Sequence, residues 1–564
     1  MNYVDNYLFW CAADLKDEEK AELVSIKDND DELKGRFGQD LQFGTAGMRG
    51  IMGMGSNRLN YYTVRRAAQG MASWLAETDL PKKAAIAYDS RHNSSAFADA
   101  CAVAMAEAGI TVYLFDRLAP TPMLSFAVRH LHCGCGIVIS ASHNSGEYNG
   151  VKCYGPDGCQ MTDAPAAVVT EKIRNIAYFI PEKLSLKECV EQGIVKYIDQ
   201  ALWESYYNTV LDEAINPEII RTTGLDVVYT PLCGTGNEPV REIFKRLAVR
   251  TTVVDCQEQP DGDFKTCEYP NPETDAALRE SYRVAETAPC DVILGTDPDC
   301  DRVAIAVPCE GGYRKLSGNE LGFMLLEYIL AALTQKGTVP ENAVAVRSIV
   351  SSPLADRICE HYGVRMRSVL TGFKYIGGEI LKLEEMGCEN RFIFGFEESC
   401  GYLKGTYARD KDAVVASMLV CEMAASLKSQ GMTILDKLTS IYEQYGHYLT
   451  SVKSVELTGA DAMEKAASIM LQLRENAPTQ IGGQDVTIVR DYKTQIEKNV
   501  LSGNQKKIEL PASNVLEYVL GQSGSVIVRP SGTEPKVKYY FTAVGANAQN
   551  AEEKLTAMMQ QMLK

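Results

Sequence analysis

No run in the sequence approaches the ~18 uninterrupted apolar residues that cross a bilayer, so a membrane partner is not expected. The opening segment, MNYVDNYLFWCAADLKDEEK, lacks a basic stretch followed by an apolar core and does not read as a secretory signal. Cys133 and Cys135 form a C-x-C, but no second pair stands at zinc-finger spacing, which argues against structural zinc. The 17 cysteines are odd in number and scattered, the usage expected of reduced thiols in a cytoplasmic protein. Positive charge is also short: 57 Lys and Arg against 74 Asp and Glu leave a formal net charge of -17. That balance argues against nucleic acid as a partner. It also means that an anionic ligand must be drawn by local cations against the field of the whole chain.

What is present is a globular composition, 46% hydrophobic and 23% charged, in 564 residues, enough for two to four domains. Runs 84–88, 110–115 and 136–140 read as strands, with the alanine-rich 95–109 as a helix between the first two. Runs 225–229, 251–255 and 291–295 repeat the theme around a crossover helix at 237–247, which GTGNEP enters. A third set places strands at 344–350 and 391–395 beside helices at 379–386 and 413–428. Such alternation implies α/β domains with parallel or mixed sheets. After about residue 450 the pattern changes to short strands and a final helix. The expectation is three similar α/β domains with mixed sheets plus a smaller α+β C-terminal domain around one central cleft. Each α/β domain would give it a loop from a strand's carboxyl end.

Four segments carry candidate chemistry. The apolar run ending at Ser140 delivers Ser142, His143 and Asn144 into a polar, glycine-bearing loop, with Lys152 ten residues after Ser142. A serine at such a loop mouth is placed to attack or to carry a group. It lacks the glycines of a G-x-S-x-G elbow. In an extended segment the adjacent His143 side chain would diverge from it, so another group must activate it. In GTDPDCDR, Asp297, Asp299 and Asp301 alternate and can converge on one cation; their hard oxygens favour magnesium or calcium. An EF-hand fails, because the sixth position from Asp297 is Arg302 rather than glycine and the twelfth is Pro308 rather than glutamate. An aspartyl-phosphate enzyme with Asp297 as nucleophile accounts less well for the third acid. RPSGTEP offers Arg529, the hydroxyls of Ser531 and Thr533, and backbone amides around Gly532, the parts of a phosphate cradle. RFIFGFEESCGY ends a strand in Glu397, Glu398 and Ser399, groups able to hold sugar hydroxyls.

Taken in order along the chain, these segments resemble the alpha-D-phosphohexomutase family, the phosphoglucomutases and phosphomannomutases. SASHNSGEYNGVK resembles the family's phosphoserine loop, DPDCDR its magnesium loop, FEES its sugar loop and RPSGTEP its phosphate loop. FGTAGMRG resembles an N-terminal element whose arginine, here Arg49, lies near the serine. TGFKYIGG, residues 371–378, resembles a loop that touches the sugar. The resemblance implies interconversion of glucose 1-phosphate and glucose 6-phosphate through a phosphorylated Ser142, with glucose 1,6-bisphosphate as activator and intermediate. It implies a catalytic set of Ser142, Lys152, Arg49 and His143. In that set Lys152 is the general acid/base, its pKa lowered by its surroundings, and His143 is a neighbour rather than a base. Magnesium would be held by Asp297, Asp299, Asp301 and the phosphorylated Ser142. Arg302, Thr371, Gly372, Glu397, Ser399, Lys411, Arg529, Ser531, Gly532 and Thr533 would bind the phosphosugar. Implied domains are 1–205 (phosphoserine), 206–320 (metal), 321–450 (sugar) and 451–564 (phosphate), in a monomer or homodimer. Phosphomannomutase, phosphopentomutase, bisphosphate synthase and a non-catalytic sugar-phosphate binder are the alternatives. The chain departs from the family pattern at Ser145, where proline is usual, at Cys300 between the acids, and at Phe396, where glycine opens the sugar loop. No histidine follows FEES, which favours glucose over mannose.

Overall fold

The computed structural model describes residues 2–44, 47–458, 462–531 and 536–563. They form two compact units, the first made of 1–317, 376–394 and 399–430, the second of 318–375, 395–398 and 431–564. Among the described residues no helix is long and apolar enough to cross a membrane.

The first unit holds two mixed sheets. One has the order Gly47–Ile51, Tyr148–Tyr154, Cys135–Ile139, Lys83–Tyr88, Thr111–Leu114, Val195–Tyr197. Its last four strands run parallel, and the first two add antiparallel. Cys135–Ile139 is buried along its whole length, as a parallel strand covered on both faces must be. The alanines of helix Ser94–Glu107 share its core. The second sheet runs Gly312–Lys315, Val303–Cys309, Val292–Thr296, Asp226–Thr230, Arg250–Val253, again part antiparallel and part parallel. Three short helices, Tyr3–Cys11, Asp17–Ser25 and Asp30–Phe37, precede the first sheet. They bury Trp10 among the rings of Phe37, Tyr62, Tyr178 and Phe179.

The second unit contains the parallel pair Val344–Ser348 and Arg365–Val369. It also holds an antiparallel sheet ordered His447–Glu456, Lys536–Gly545, Gly524–Pro530, Leu516–Val519, Ile488–Asp491, Ile496–Asn499, Gln505–Lys507. Helices Ala462–Glu475 and Ala548–Met562 contribute Met470 and Met558 to its core. Phe396, the departure from the family's glycine, is fully buried, and its ring fills the space over Gly322 of helix Gly318–Lys336. A methyl on Gly322 would stand 2.3 Å from that ring. Gly322→Ala should therefore lower the urea midpoint, because overpacking costs about 1–3 kcal/mol and alanine returns only about 1 kcal/mol as a helix former. An unchanged midpoint would show that the ring moves aside freely.

Three segments differ from the sequence expectation. Residues after Ser142 continue not as loop but into the strand Tyr148–Tyr154, which carries Lys152. Gly150 disguises that strand: a Cβ there would lie 2.5 Å from the Ser140 carbonyl, so only glycine lets the neighbouring backbones close in. TGFKYIGG is mostly helix, Phe373–Glu385, and only Thr371 and Gly372 remain outside it. Its Gly377 marks close packing, not a turn, since a Cβ would meet the Cys159 sulfur at 2.6 Å. Helix Ala462–Glu475 adds a second helix to a region expected to end in one.

Candidate active site

Ser142 follows the strand Cys135–Ile139 and adopts φ 53°, a left-handed conformation that costs a non-glycine residue about 1–2 kcal/mol. The surrounding loop holds it there. Ser142 N–H donates to Ser140 Oγ at 2.8 Å. The guanidinium of Arg91 donates to the carbonyl oxygens of Ser142 (2.6 Å), Ser145 (2.7 Å) and Tyr148 (3.0 Å), and also to that of Asn144. Arg91 itself is wholly buried against Asp89, 3.3 Å away. Sequence reasoning missed Arg91, although a D-x-R pair just past an apolar strand stands where loops of such sheets build sites. The same clamp immobilises Ser145, where the family uses proline.

The turn at Ser142 corrects one expectation. The serine and histidine side chains do not diverge: Ser142 Oγ lies 3.1 Å from His143 Nδ1, because the left-handed backbone folds them together. The serine hydroxyl nevertheless donates to Asp297 Oδ2 at 2.8 Å. With that single proton directed at the acid, Nδ1 of the ring is the donor to Oγ. Burial, Arg302 and Arg49 hold His143 well below its ordinary pKa, so the ring is neutral. Arg49 reaches the loop through a 2.8 Å hydrogen bond to Asn144 Oδ1.

Asp297, Asp299 and Asp301 are all buried, and their oxygens gather within 4.8 Å of one another. They sit in the turn between strands Val292–Thr296 and Val303–Cys309. Asp297 Oδ1 accepts the amides of Asp301 (3.0 Å) and Arg302 (2.9 Å), which closes the turn. Oδ1 of Asp299 and Oδ1 of Asp301 are buried with no hydrogen-bond partner. Burial and the charges of Asp301 and Asp299 push Asp297 well above the usual carboxylate range. Burial acts on Asp301 in the same sense, but Lys411, Lys152 and Arg302 outweigh it and hold that acid below the usual range. Three crowded carboxylates with unpartnered oxygens fit a divalent cation with a preference for hard oxygen ligands.

Besides Arg91, four cations among the described residues face this cluster or the serine loop. Lys152 donates to Asp299 Oδ2 and, at 3.3 Å, to Asp301 Oδ2. Lys411 lies 3.2 Å from Asp301 Oδ2 and 2.9 Å from Asp410 Oδ1, so it pairs with the acids, a contact the sequence reading did not foresee. Arg302 pairs with Glu273 at 2.6 Å and approaches Asp301 at 3.7 Å. Arg49 completes the set at Asn144. The expected lowering of the Lys152 pKa is not found. Burial acts to lower it, but Asp299 and Asp301 override burial and raise it.

Ser399 is in the turn after strand Phe392–Glu397 and belongs to the first unit. Thr371, Gly372, Glu397, Arg529 and Ser531 belong to the second. There Glu397 is buried and accepts the Gly372 amide at 2.6 Å, so two of the expected sugar contacts are neighbours. Arg529 stands directly across the sheet from Lys538, and Ser531 N–H bonds to the Lys536 carbonyl at 2.8 Å. Gly532 and Thr533 lie outside the described residues.

Four family models match the chain in order. Those described as Phosphoglucomutase/phosphomannomutase, alpha/beta/alpha domains I, II and III, match residues 40–178, 204–311 and 317–445, and the corresponding C-terminal domain matches 491–556. Three α/β domains and a distinct C-terminal one are the architecture expected from the sequence. A curated phosphoglucomutase of Staphylococcus haemolyticus is 35% identical over 521 residues, which cover 92% of each chain. One from Staphylococcus epidermidis is 36% identical over 504 residues, 89% of this chain and 90% of the relative. Among solved structures, a Thermus thermophilus protein described as a phosphomannomutase has a TM-score of 0.68 at 21% identity, covering 93% of this chain and 99% of that one. At that identity the likeness is one of fold.

Proposed function

The chain belongs to the phosphoglucomutase/phosphomannomutase family, and from that premise we propose that it is a phosphoglucomutase, interconverting α-D-glucose 1-phosphate and glucose 6-phosphate. The observation that carries this reading is the Ser142 hydroxyl, held 2.8 Å from one acid of a buried three-carboxylate cluster. A serine set against cation-binding acids, beside a neutral histidine that donates to it, is suited to carry a phosphoryl group. In the proposed cycle a sugar hydroxyl attacks the phosphorus on Ser142 Oγ, the P–Oγ bond breaks, and the hydroxyl proton passes to a base. The resulting glucose 1,6-bisphosphate returns its other phosphoryl to Ser142 after turning over.

Asp297, Asp299, Asp301 and the phosphorylated serine are the proposed magnesium ligands. The ion supplies, when bound, positive charge against the transferring phosphoryl. Asp299 and Asp301 keep Lys152 protonated. A divalent ion sharing the charge of these acids would weaken that hold, and Lys152 is the proposed acceptor of the sugar's proton. Arg302, Arg49 and Lys411 offset the remaining negative charge. Thr371, Gly372, Glu397 and Ser399 are assigned to ring hydroxyls, and Arg529, Ser531, Gly532 and Thr533 to a phosphate. The cations Arg529 and Lys538, opposite each other across the sheet, support the last assignment, because two such donors can share one phosphate. We assign residues 1–205, 206–320, 321–450 and 451–564 to phosphoserine, metal, sugar and phosphate domains.

A coupled assay on the 1-phosphates of glucose, mannose and ribose, with catalytic glucose 1,6-bisphosphate and magnesium, tests the reading. Glucose 1-phosphate should turn over faster by a factor on the order of ten or more. Equal rates for mannose would overturn the glucose preference, and no turnover of any of the three would overturn the mutase reading.

A further inference from the structure

We propose that Thr121 is a positioning residue for the cation site: its hydroxyl fixes the rotation of the Asp299 carboxylate so that Oδ1 is the oxygen presented to the ion. The inference rests on the metal-site reading above. Thr121 opens the helix Thr121–His130 and is completely buried. It grips one acid twice. Its amide donates to the Asp299 carbonyl at 2.9 Å, and its hydroxyl to Asp299 Oδ2 at 2.7 Å. Lys152 donates to that same oxygen. Oδ2 is therefore occupied by two donors, while Oδ1, equally buried, has no hydrogen-bond partner.

A carboxylate turns about its Cβ–Cγ bond, so a second donor on one oxygen decides which oxygen faces inward. The two donors on Oδ2 are not equivalent. Lys152 brings charge and also serves Asp301, so its removal would change the field as well as the geometry. Thr121 is neutral and meets no other acid of the cluster by hydrogen bond among the described residues. Its hydroxyl can therefore act on the cation through orientation alone. Asp297 is held differently, by amides of its own turn on Oδ1 and on Oδ2 by the hydroxyl of Ser142, a residue of the proposed reaction itself. On Asp299 the hydroxyl comes instead from a residue outside the proposed reaction, 178 positions away in sequence.

The test titrates manganese(II), standing in for magnesium, into full-length dephosphorylated protein without substrate, and counts free ion by electron paramagnetic resonance. Thr121→Val keeps the shape and the backbone grip but loses the hydroxyl. It should bind manganese about 10–100-fold more weakly than wild type. Thr121→Ser, which keeps the donor, should bind close to wild type. Circular dichroism of the metal-free proteins verifies that each is folded; if Thr121→Val is not, Thr121→Ala against Thr121→Ser carries the comparison. Manganese binding by Thr121→Val as tight as wild type, or by Thr121→Ser as weak as the valine variant, would overturn the proposal. Wild-type protein that binds no manganese would overturn the metal reading itself, an outcome distinct from either.

Discussion

Ser142→Ala should abolish mutase turnover, by a factor on the order of 10^5–10^6, while the protein remains folded. If Ser142 Oγ carries the phosphoryl group, no other group near it can substitute. His143 is a neutral donor to that oxygen, and Asp297 is committed to the acid cluster. The loop does not depend on the hydroxyl for its shape. Arg91 holds it through the main-chain carbonyls of Ser142 and Ser145, and the Ser142 amide is held by Ser140. Alanine occupies the left-handed φ of 53° no more easily than serine, but no less, so the strain is unchanged. What is lost are the hydrogen bonds of the hydroxyl with Asp297 and with His143, each worth about 1 kcal/mol. The coupled assay reads the first effect and a urea melt the second. Intact mass after incubation with glucose 1,6-bisphosphate should show one added phosphoryl on wild type and none on the variant. Full activity in Ser142→Ala would end the carrier role.

The acids were legible in sequence because their geometry is local. Three carboxylates at a spacing of two, on a turn closed by Asp297 accepting the amides of Asp301 and Arg302, need nothing from the rest of the chain to converge. The sheets were legible for a similar reason: buried parallel strands such as Cys135–Ile139 are continuous apolar runs. Partners distant in sequence were legible only through the family resemblance, as for Ser142 with Asp297, and not from spacing. Thr121 and Lys152 meet Asp299 across 178 and 147 residues, and nothing in the spacing announces either contact. Two segments expected as loops, around Gly150 and Gly377, are a strand and a helix in which glycine provides close approach. The pairing of Ser142 with His143 was misjudged because an extended backbone was assumed where φ is positive. Lys152 was expected to have a lowered pKa because catalysis wants one, whereas the two acids beside it dictate the opposite while no cation shares their charge.

Arg91→Ala should be the most damaging substitution outside the acid cluster and its serine. The guanidinium serves four carbonyl oxygens of the serine loop, at Ser142, Asn144, Ser145 and Tyr148, and also pairs with buried Asp89. Removing one partner of a buried ion pair costs about 3–5 kcal/mol. Without the clamp, Ser142 is free to leave its left-handed conformation. A misplacement of about 1 Å at a reacting group costs roughly 100-fold in rate, so kcat should fall by at least that much in whatever protein remains folded. The stability deficit should also depend on pH. Burial already raises the Asp89 pKa, and Arg91 opposes that rise. Without Arg91 the acid climbs further and is taken up in its protonated form. A group whose pKa is raised on folding adds stability that is full below its unfolded value and is lost as pH rises through its folded one. The deficit of Arg91→Ala relative to wild type should therefore be smaller in acid, where the lost carbonyl contacts remain its main part, and grow toward neutral pH. Urea melts of both proteins at pH 5 and pH 8 measure it. A deficit equal at the two pH values would mean that Asp89 does not depend on Arg91 for its charge, and that the arginine acts on the loop carbonyls alone.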